Sequence, residues 1–278
     1  MNLHDKTQVL IEALPYIKKF NGKIVVIKFG GNAMSEMNQV IEDIVLLKHI
    51  GIKPVVVHGG GPEIDSELIK AKIKPKFVNG LRHTDEFVIK VVEKVFKKLN
   101  KEIISNLSKH GAKSVNATGC ITARQKDLSL GLVGHITEVD NKKILKFLDS
   151  GFIPVISPIG IGKDKKIYNL NADTAASSVA VALNAEKLTI ITNVDGIVID
   201  NKILSHIDIQ NAKDEIKKGN INKGMIPKVE ACMHAVQNNC PKAHLINGLV
   251  PHSLLLEIFT DKGIGTEIVY KNGYEKNN

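Results

Sequence analysis

Strands and helices alternate along this chain, which predicts an α/β fold around a mainly parallel sheet. Three observations carry that expectation. Short apolar runs rich in β-branched residues recur throughout the 278 residues. Segments with helical apolar spacing separate most of them. The runs are apolar nearly without interruption, as in strands buried on both faces.

In order, Leu10, Ile11, Leu14 and Ile17 share one face of an expected first helix, bent at Pro15. That face suits either packing on its own domain or a partner helix. Residues 24–28 read as the first strand, 36–50 as a helix and 54–58 as the second strand. A long helix over 85–109 and a strand over 113–117 follow. The less regular stretch 126–143 is expected to hold a hairpin between two halves. The second half repeats the alternation, with strands at 153–157, 188–192, 243–247 and 266–270 and helices at 173–183, 225–237 and 251–260.

Composition narrows the function classes. Net charge is +9, yet only Arg82 and Arg124 are arginines, so the positive charge is nearly all lysine. Abundant lysine, isoleucine and asparagine fit an A+T-rich coding genome, and no basic stripe interleaves with aromatics, which speaks against a nucleic-acid binder. Cys120, Cys232 and Cys240 form no metal-ligand spacing and suit a reducing compartment. No run approaches the roughly 20 apolar residues of a membrane span, and the N-terminus shows no signal-peptide core.

Two strands end in glycine turns, "VVIKFGGNAM" from Val25 and "PVVVHGGGPEI" from Pro54. In an open parallel sheet ligands gather at the carboxyl ends of strands. Successive glycine amides can cradle an anion there, and Pro62 suits the first turn of a helix whose N-terminus favours negative charge. Tight packing of strand on helix accounts for such glycines equally well. No GxGxxG or GxxxxGK[ST] is present, and Gly160–Asp164, "GIGKD", reads as a surface turn. Further along, Asn169 and Asn171 alternate ahead of Asp173, which opens an Ala-rich helix, and Lys228 follows Gly224 near the start of another.

Together "KFGGNAM", "VVVHGGGPEID", "NGLRHTDE", "NLNADTAA", "TNVDGI", "KGMIPKVEA" and "LLLEIFTDKGIGTEI" resemble, in order, the blocks of the amino-acid kinase family in its N-acetylglutamate kinase branch. The resemblance implies a three-layer α/β/α sandwich in two lobes. Residues 21–172 would form the lobe for acetylglutamate binding and dimerisation, and 173–278 the lobe for ATP. It implies phosphorylation of the side-chain carboxylate of N-acetyl-L-glutamate by ATP, an early step of arginine synthesis. Lys28, Lys228 and Asp173 would be catalytic, with Asp173 holding the two lysines. Gly31 and Gly60 would bind the phosphoryl group. Gly59, Gly60, Arg82 and Asn169 would bind the substrate, with Arg82 on its α-carboxylate. Mg2+ would travel with ATP, since no dedicated carboxylate cage is evident. Arg124 reads as surface. Other members, a carbamate or glutamate kinase, and a non-catalytic regulatory relative are the competing readings; the intact lysine–aspartate set speaks against the last.

Residues 1–20 resemble the oligomerisation helix of the arginine-sensitive members. There helices of neighbouring dimers interlace into a homo-hexamer, a trimer of dimers, and arginine binds beside the helix and the C-terminal "EIFTDKGIGT". Tyr16, Glu257 and Gly265 would lie near the effector, although Glu257 could equally sit on an exposed helix face. Relatives in photosynthetic lineages also bind the PII signal protein. The implied location is cytoplasmic, or the plastid stroma for a plastid-encoded gene.

Overall fold

The computed structural model describes residues 3–31, 37–78, 80–260 and 263–271, with the backbone alone for 3–6, 9 and 10. The chain begins with α1 (Leu3–Phe20), β1 (Ile24–Phe29), α2 (Met37–His49), β2 (Lys53–His58) and α3 (Gly61–Lys70). A hairpin, β3 (Phe77–Val78) and β4 (Leu81–Arg82), leads into α4 (Glu86–Lys109). Then come β5 (Ser114–Asn116), β6 (Ile121–Gln125), β7 (Gly134–Val139), α5 (Asn141–Asp149), β8 (Ile153–Ile156), β9 (Ile159–Ile161), β10 (Ile167–Asn169) and α6 (Ala172–Ala182). The last part holds β11 (Lys187–Thr192), the hairpin β12 (Val198–Ile199) and β13 (Lys202–Ile203), β14 (His206–Asp208), α7 (Ile209–Lys218), α8 (Ile226–Gln237), β15 (Lys242–Asn247), α9 (Ser253–Phe259) and β16 (Thr266–Val269).

The central sheet has the order β14-β16-β15-β11-β1-β2-β8-β5. It is parallel from β15 to β5, and β16 runs antiparallel to β15. Strands from the first part of the chain fill one side and strands after residue 186 the other, with β1 against β11 at the join. Period-2 alternation sorts β1 between two cores. Val25, Ile27 and Phe29 pack with α2 and α9, whereas Val26 packs with α6 and α8. Lys28, two residues past Val26, faces the α6–α8 layer. A smaller sheet, β10-β9-β6-β7, sits beside the first half.

Local chemistry explains the helix starts that matter here. Asp85 caps α4 by accepting from the amides of Phe87 and Val88, and Val88, Val92, Phe96, Leu99, Ile103 and Leu107 then form its buried stripe. Asn171 caps α6 through the Thr174 amide. Gly60 precedes α3, with Pro62 in the first turn.

Three expectations shift. The segment 160–164 is not all turn: Gly160 and Ile161 pair with β10, because Gly160 packs against Ala123 and Leu170 and closes the smaller sheet. The helix expected at Asp173 starts one residue earlier, since the cap is Asn171. The helices α5 and α7 had no counterpart among the expected elements; both are short and lysine-rich, and Asp140 and Asp208 cap them. The hairpin expected over 126–143 lies earlier in part: β7 falls inside that range, but its partner β6 precedes it. Asn32, Ala33, Met34, Glu36, Asn79, Asp261, Lys262 and the Leu10 side chain fall outside the described residues.

Candidate active site

A cleft of about 360 Å³ opens at the carboxyl ends of β1, β2 and β11. It is lined by Lys28, Gly31, Gly59, Gly60, Arg82, Asn169, Asp173 and Lys228, so the expected catalytic, phosphoryl-binding and substrate-binding residues all meet in one place. Residues 200 positions apart come together because β1 lies beside β11, under α6 and α8.

Asp173, in the first turn of α6, sits between the two lysines. Its Oδ1 lies 2.7 Å from Lys28 Nζ and its Oδ2 3.7 Å from Lys228 Nζ. Lys28 and Asp173 are buried, while Lys228 is partly open to the cleft. Burial alone would raise the Asp173 pKa, but Lys28 and Lys228 outweigh it and hold the carboxyl below its ordinary value. The result is two ammonium groups fixed at one wall of the cleft by a shared carboxylate.

The glycine turns line the same cleft with backbone. Gly30 and Gly59 touch: a β-carbon on Gly30 would lie 2.5 Å from Gly59 Cα, and Gly30 has φ +154°. Only glycine permits this approach, which brings the two turns onto one ligand position. A β-carbon on Gly60 would meet Leu99 Cδ1 at 2.8 Å and Phe96 Cε1 at 2.9 Å. The Gly60 backbone is therefore pressed between α4 and the cleft.

At the far end, the Arg82 guanidinium stacks 4.8 Å over the Phe77 ring, forms an ion pair with Asp65 and donates to Gly61 O at 3.2 Å. It lines the cleft while these partners hold its plane. Asn169 is buried and donates from Nδ2 to Thr84 Oγ1 at 3.1 Å. Asn171 also lines the cleft but spends its Oδ1 on the α6 cap, so the two alternating asparagines have different tasks. Arg124 is exposed on β6, away from the cleft. Phe77 and Pro158 line the cleft without having been singled out, as do Thr192 and Asn193, which belong to the block "TNVDGI" but were given no role; single apolar residues beside turns leave no pattern in a sequence. Among the described residues, no group of three or more His, Cys, Asp or Glu side chains is placed to hold a metal ion.

A second cavity of about 250 Å³ lies at the opposite, amino-terminal ends of β11 and β15. Lys187 opens β11 there, five strand steps or about 17 Å from Thr192. Tyr16, Lys187, His244, Glu257, Thr260 and Gly265 are among its lining residues. Glu257 is buried, not on an exposed helix face: its Oε1 lies 2.8 Å from Lys187 Nζ and 2.8 Å from His244 Nε2. Burial works against ionisation of Glu257, but His244 and Lys187 prevail and bring its pKa down to about 2.

Comparison with known proteins agrees with the architecture. The pattern of the amino acid kinase family matches residues 23–247. The chain is 50% identical over 277 residues to the acetylglutamate kinase of Caldanaerobacter subterraneus subsp. tengcongensis, covering 95% of this chain and 93% of that one. It is 48% identical over 288 residues to the acetylglutamate kinase of Petrotoga mobilis, covering 98% and 96%. Among solved structures, N-acetylglutamate synthase from Neisseria gonorrhoeae complexed with coenzyme A and N-acetyl-glutamate superposes with a TM-score of 0.89 at 28% identity. This chain spans 95% of its own length and 63% of that longer protein in the match. The same synthase complexed with coenzyme A and L-arginine gives 0.85 at 26% identity, over 95% of this chain and 65% of that one. Giardia carbamate kinase gives 0.71 at 18% identity, over 90% and 99%, and shares the fold. No described helix is long and apolar enough to cross a membrane. The chain belongs to the amino acid kinase family, on the branch of the proteins named acetylglutamate kinase.

Proposed function

We propose that this chain transfers the γ-phosphoryl group of ATP to the side-chain carboxylate of N-acetyl-L-glutamate, with Lys28, Asp173 and Lys228 as its catalytic set. The observation that carries the reading is the pair of lysines held by one buried carboxylate, lining a single cleft together with the contacting glycine turns. The attacking carboxylate is already ionised near neutral pH, so no general base is needed. The task is to bring two anions together and to neutralise charge in flight. A carboxylate oxygen of acetylglutamate forms the new bond to the γ-phosphorus, the bond to the β–γ bridging oxygen breaks, and ADP leaves with that electron pair. The product is an acyl phosphate.

Lys28 reaches the transferring group and Lys228 the leaving side. Gly31 and Gly60 donate backbone N–H groups to the phosphoryl oxygens, donors of a kind worth several kcal/mol in the transition state. Arg82 grips the substrate α-carboxylate with a planar fork that lysine cannot copy, and Asn169 and Gly59 hold its remaining polar groups. Mg2+ arrives with the nucleotide phosphates. Residues 21–172 form the acetylglutamate and dimerisation lobe and 173–278 the ATP lobe; the division of the sheet between β1 and β11 supports that boundary. An ATP-dependent hydroxamate assay with acetylglutamate, glutamate and aspartate side by side tests the reading. Trapped acyl phosphate from acetylglutamate alone is expected, and preference for either free amino acid would refute it.

Arginine is proposed to inhibit from the second cavity, through Tyr16, Glu257 and Gly265. A buried carboxylate in a pocket of this size suits a guanidinium. Helix α1 would join dimers into a hexamer. In support, Ile11 and Leu14 are exposed on it, 59% and 42%, although the sequence puts them on its apolar face. Deleting residues 1–20 is expected to leave a dimer that ignores arginine. Light scattering at hexamer mass, or unchanged inhibition, would refute this.

A further inference from the structure

We propose that His58 is a positioning residue: its neutral imidazole, protonated on Nδ1, clamps the Gly59 carbonyl and so aims the Gly60 N–H at the phosphoryl group in transfer. The proposal rests on the reading of Gly60 given above. Hydrogen-bond accounting in a buried cluster behind the glycine turn carries it.

His58 ends β2, has no exposed surface and lies edge-on to Phe96, with ring centroids 5.6 Å apart. Its Nε2 is 2.8 Å from Ser157 Oγ and its Nδ1 is 2.8 Å from Gly59 O. The proton positions follow from the neighbours. Asn100, on α4, faces Val155 O at 3.1 Å, and a carbonyl can only accept, so the NH2 group of Asn100 points there. The same Nδ2 donates to Ser157 Oγ at 3.3 Å. Thr118 Oγ1 receives the Ser157 N–H at 3.2 Å and donates its own hydrogen to Ser157 Oγ at 3.0 Å. Ser157 Oγ therefore accepts twice, and its single proton is left for His58 Nε2. With Nε2 accepting, the ring proton is on Nδ1, where the Gly59 carbonyl needs a donor. Both ends of the chain give the same tautomer. Burial also pushes the His58 pKa down to about 4, so the ring stays neutral at working pH.

This fixes the peptide that follows. The Gly59 N–H donates to Phe29 O at 2.8 Å, and the Gly59 C=O is held by His58. No described peptide is cis, so the Gly60 N–H points to the side opposite the Gly59 carbonyl, away from His58. Phe96 and Leu99 lie behind the Gly60 Cα, where a β-carbon would come within 2.9 and 2.8 Å of them. Among the described residues no backbone acceptor receives the Gly60 N–H, which leaves it for a ligand at the head of α3. The network also tolerates an unpartnered buried oxygen, Asn100 Oδ1. An apolar filling would avoid that penalty, so packing alone does not account for the cluster.

The test combines kinetics with selective labelling of the intact enzyme. His58→Phe keeps a ring against Phe96 and removes both nitrogens. It is expected to lower kcat by about 10- to 100-fold while KM for ATP and acetylglutamate moves by about twofold or less. Ser157→Ala, a milder change, removes the donor that holds Nε2 and leaves the Gly59 carbonyl alone to fix the ring, and is expected to lower kcat by about 3- to 10-fold with the same KM pattern. In wild-type protein labelled with 15N-histidine, the His58 ring should show Nδ1 protonated and Nε2 bare across neutral pH. The opposite tautomer, or an imidazolium, overturns the proposal whatever the variants do. With 15N-glycine label, the Gly60 amide should shift when ADP, aluminium fluoride and acetylglutamate are added together. No shift in the wild type refutes the phosphoryl role of Gly60 itself. A wild-type shift that persists in both variants, or unchanged kcat in both, overturns the role of His58 alone.

Discussion

Replacing Asp173 by asparagine keeps the side-chain shape and removes the negative charge between Lys28 and Lys228. At an effective dielectric of about 20, ion pairs at 2.7 and 3.7 Å attract by about 6 and 4–5 kcal/mol respectively. Desolvation of three buried or half-buried charges offsets most of that. What the variant leaves is an uncompensated ammonium, Lys28, in a site with little access to water. Breaking a buried pair in this way costs about 3–5 kcal/mol. Both lysines also lose their anchor, and a displacement of about 1 Å at a reacting centre can cost about 100-fold in rate. Urea unfolding of Asp173→Asn should therefore show a midpoint well below wild type, and the hydroxamate assay a kcat down by about two orders of magnitude. Adding Lys28→Met removes the stranded charge, so the double variant should be more stable than the sum of the single losses by about 1–3 kcal/mol. The acid side of the stability curve carries a further sign. Asp173 has a folded pKa below its unfolded one, so its contribution is complete above the unfolded value and is lost as pH falls through the folded value. Below about pH 4 the wild type should lose stability more steeply than Asp173→Asn. A variant with the wild-type midpoint, additive double-mutant energies and an unchanged acid limb would refute the account of Asp173 as a clamp.

Lys28→Ala and Lys228→Ala should each lose most of kcat, whereas Arg82→Lys should chiefly raise KM for acetylglutamate, by about tenfold; steady-state kinetics separate the two patterns. Gly30→Ala forces a β-carbon to 2.5 Å from Gly59 Cα at a φ of +154°, and should lower stability by about 1–3 kcal/mol along with activity. Gly61→Ala meets nothing within 4 Å and should unfold within about 0.5 kcal/mol of wild type. Glu257→Gln strands the Lys187 ammonium and should cost about 3–5 kcal/mol in urea unfolding. Because the Glu257 pKa is about 2 in the fold against 4.5 ordinarily, the stability lost below pH 4.5 should shrink in that variant. Arginine inhibition should vanish in it while KM for acetylglutamate holds.

Much of the fold was legible because strand and helix leave different periods in the chain. The buried runs of β1, β2, β11 and β15, and the stripe and Asp85 cap of α4, are local facts written in consecutive residues. The short helices α5 and α7 went unread although both carry an apolar face, because each spans only about two to three turns and its start depends on a single aspartate cap. In the segment 160–164, Gly160 is strand only because Ala123 and Leu170 lie against it, a contact from distant sequence.

The residue types of the candidate site and their order stand in the linear chain: the lysine before the first glycine pair, the glycine triplet, the isolated Arg82, the Asp173 and Lys228 blocks. Folding adds which lysines share the Asp173 carboxylate, that Arg82 is held by Asp65 and Phe77, that Glu257 is buried against Lys187 and His244, and that His58 stands behind the glycine turn. One cause serves all four. Charge pairing, burial and proton placement depend on distances across strands and helices that the register of β1 between β11 and β2 sets, and no local stretch of chain contains those distances.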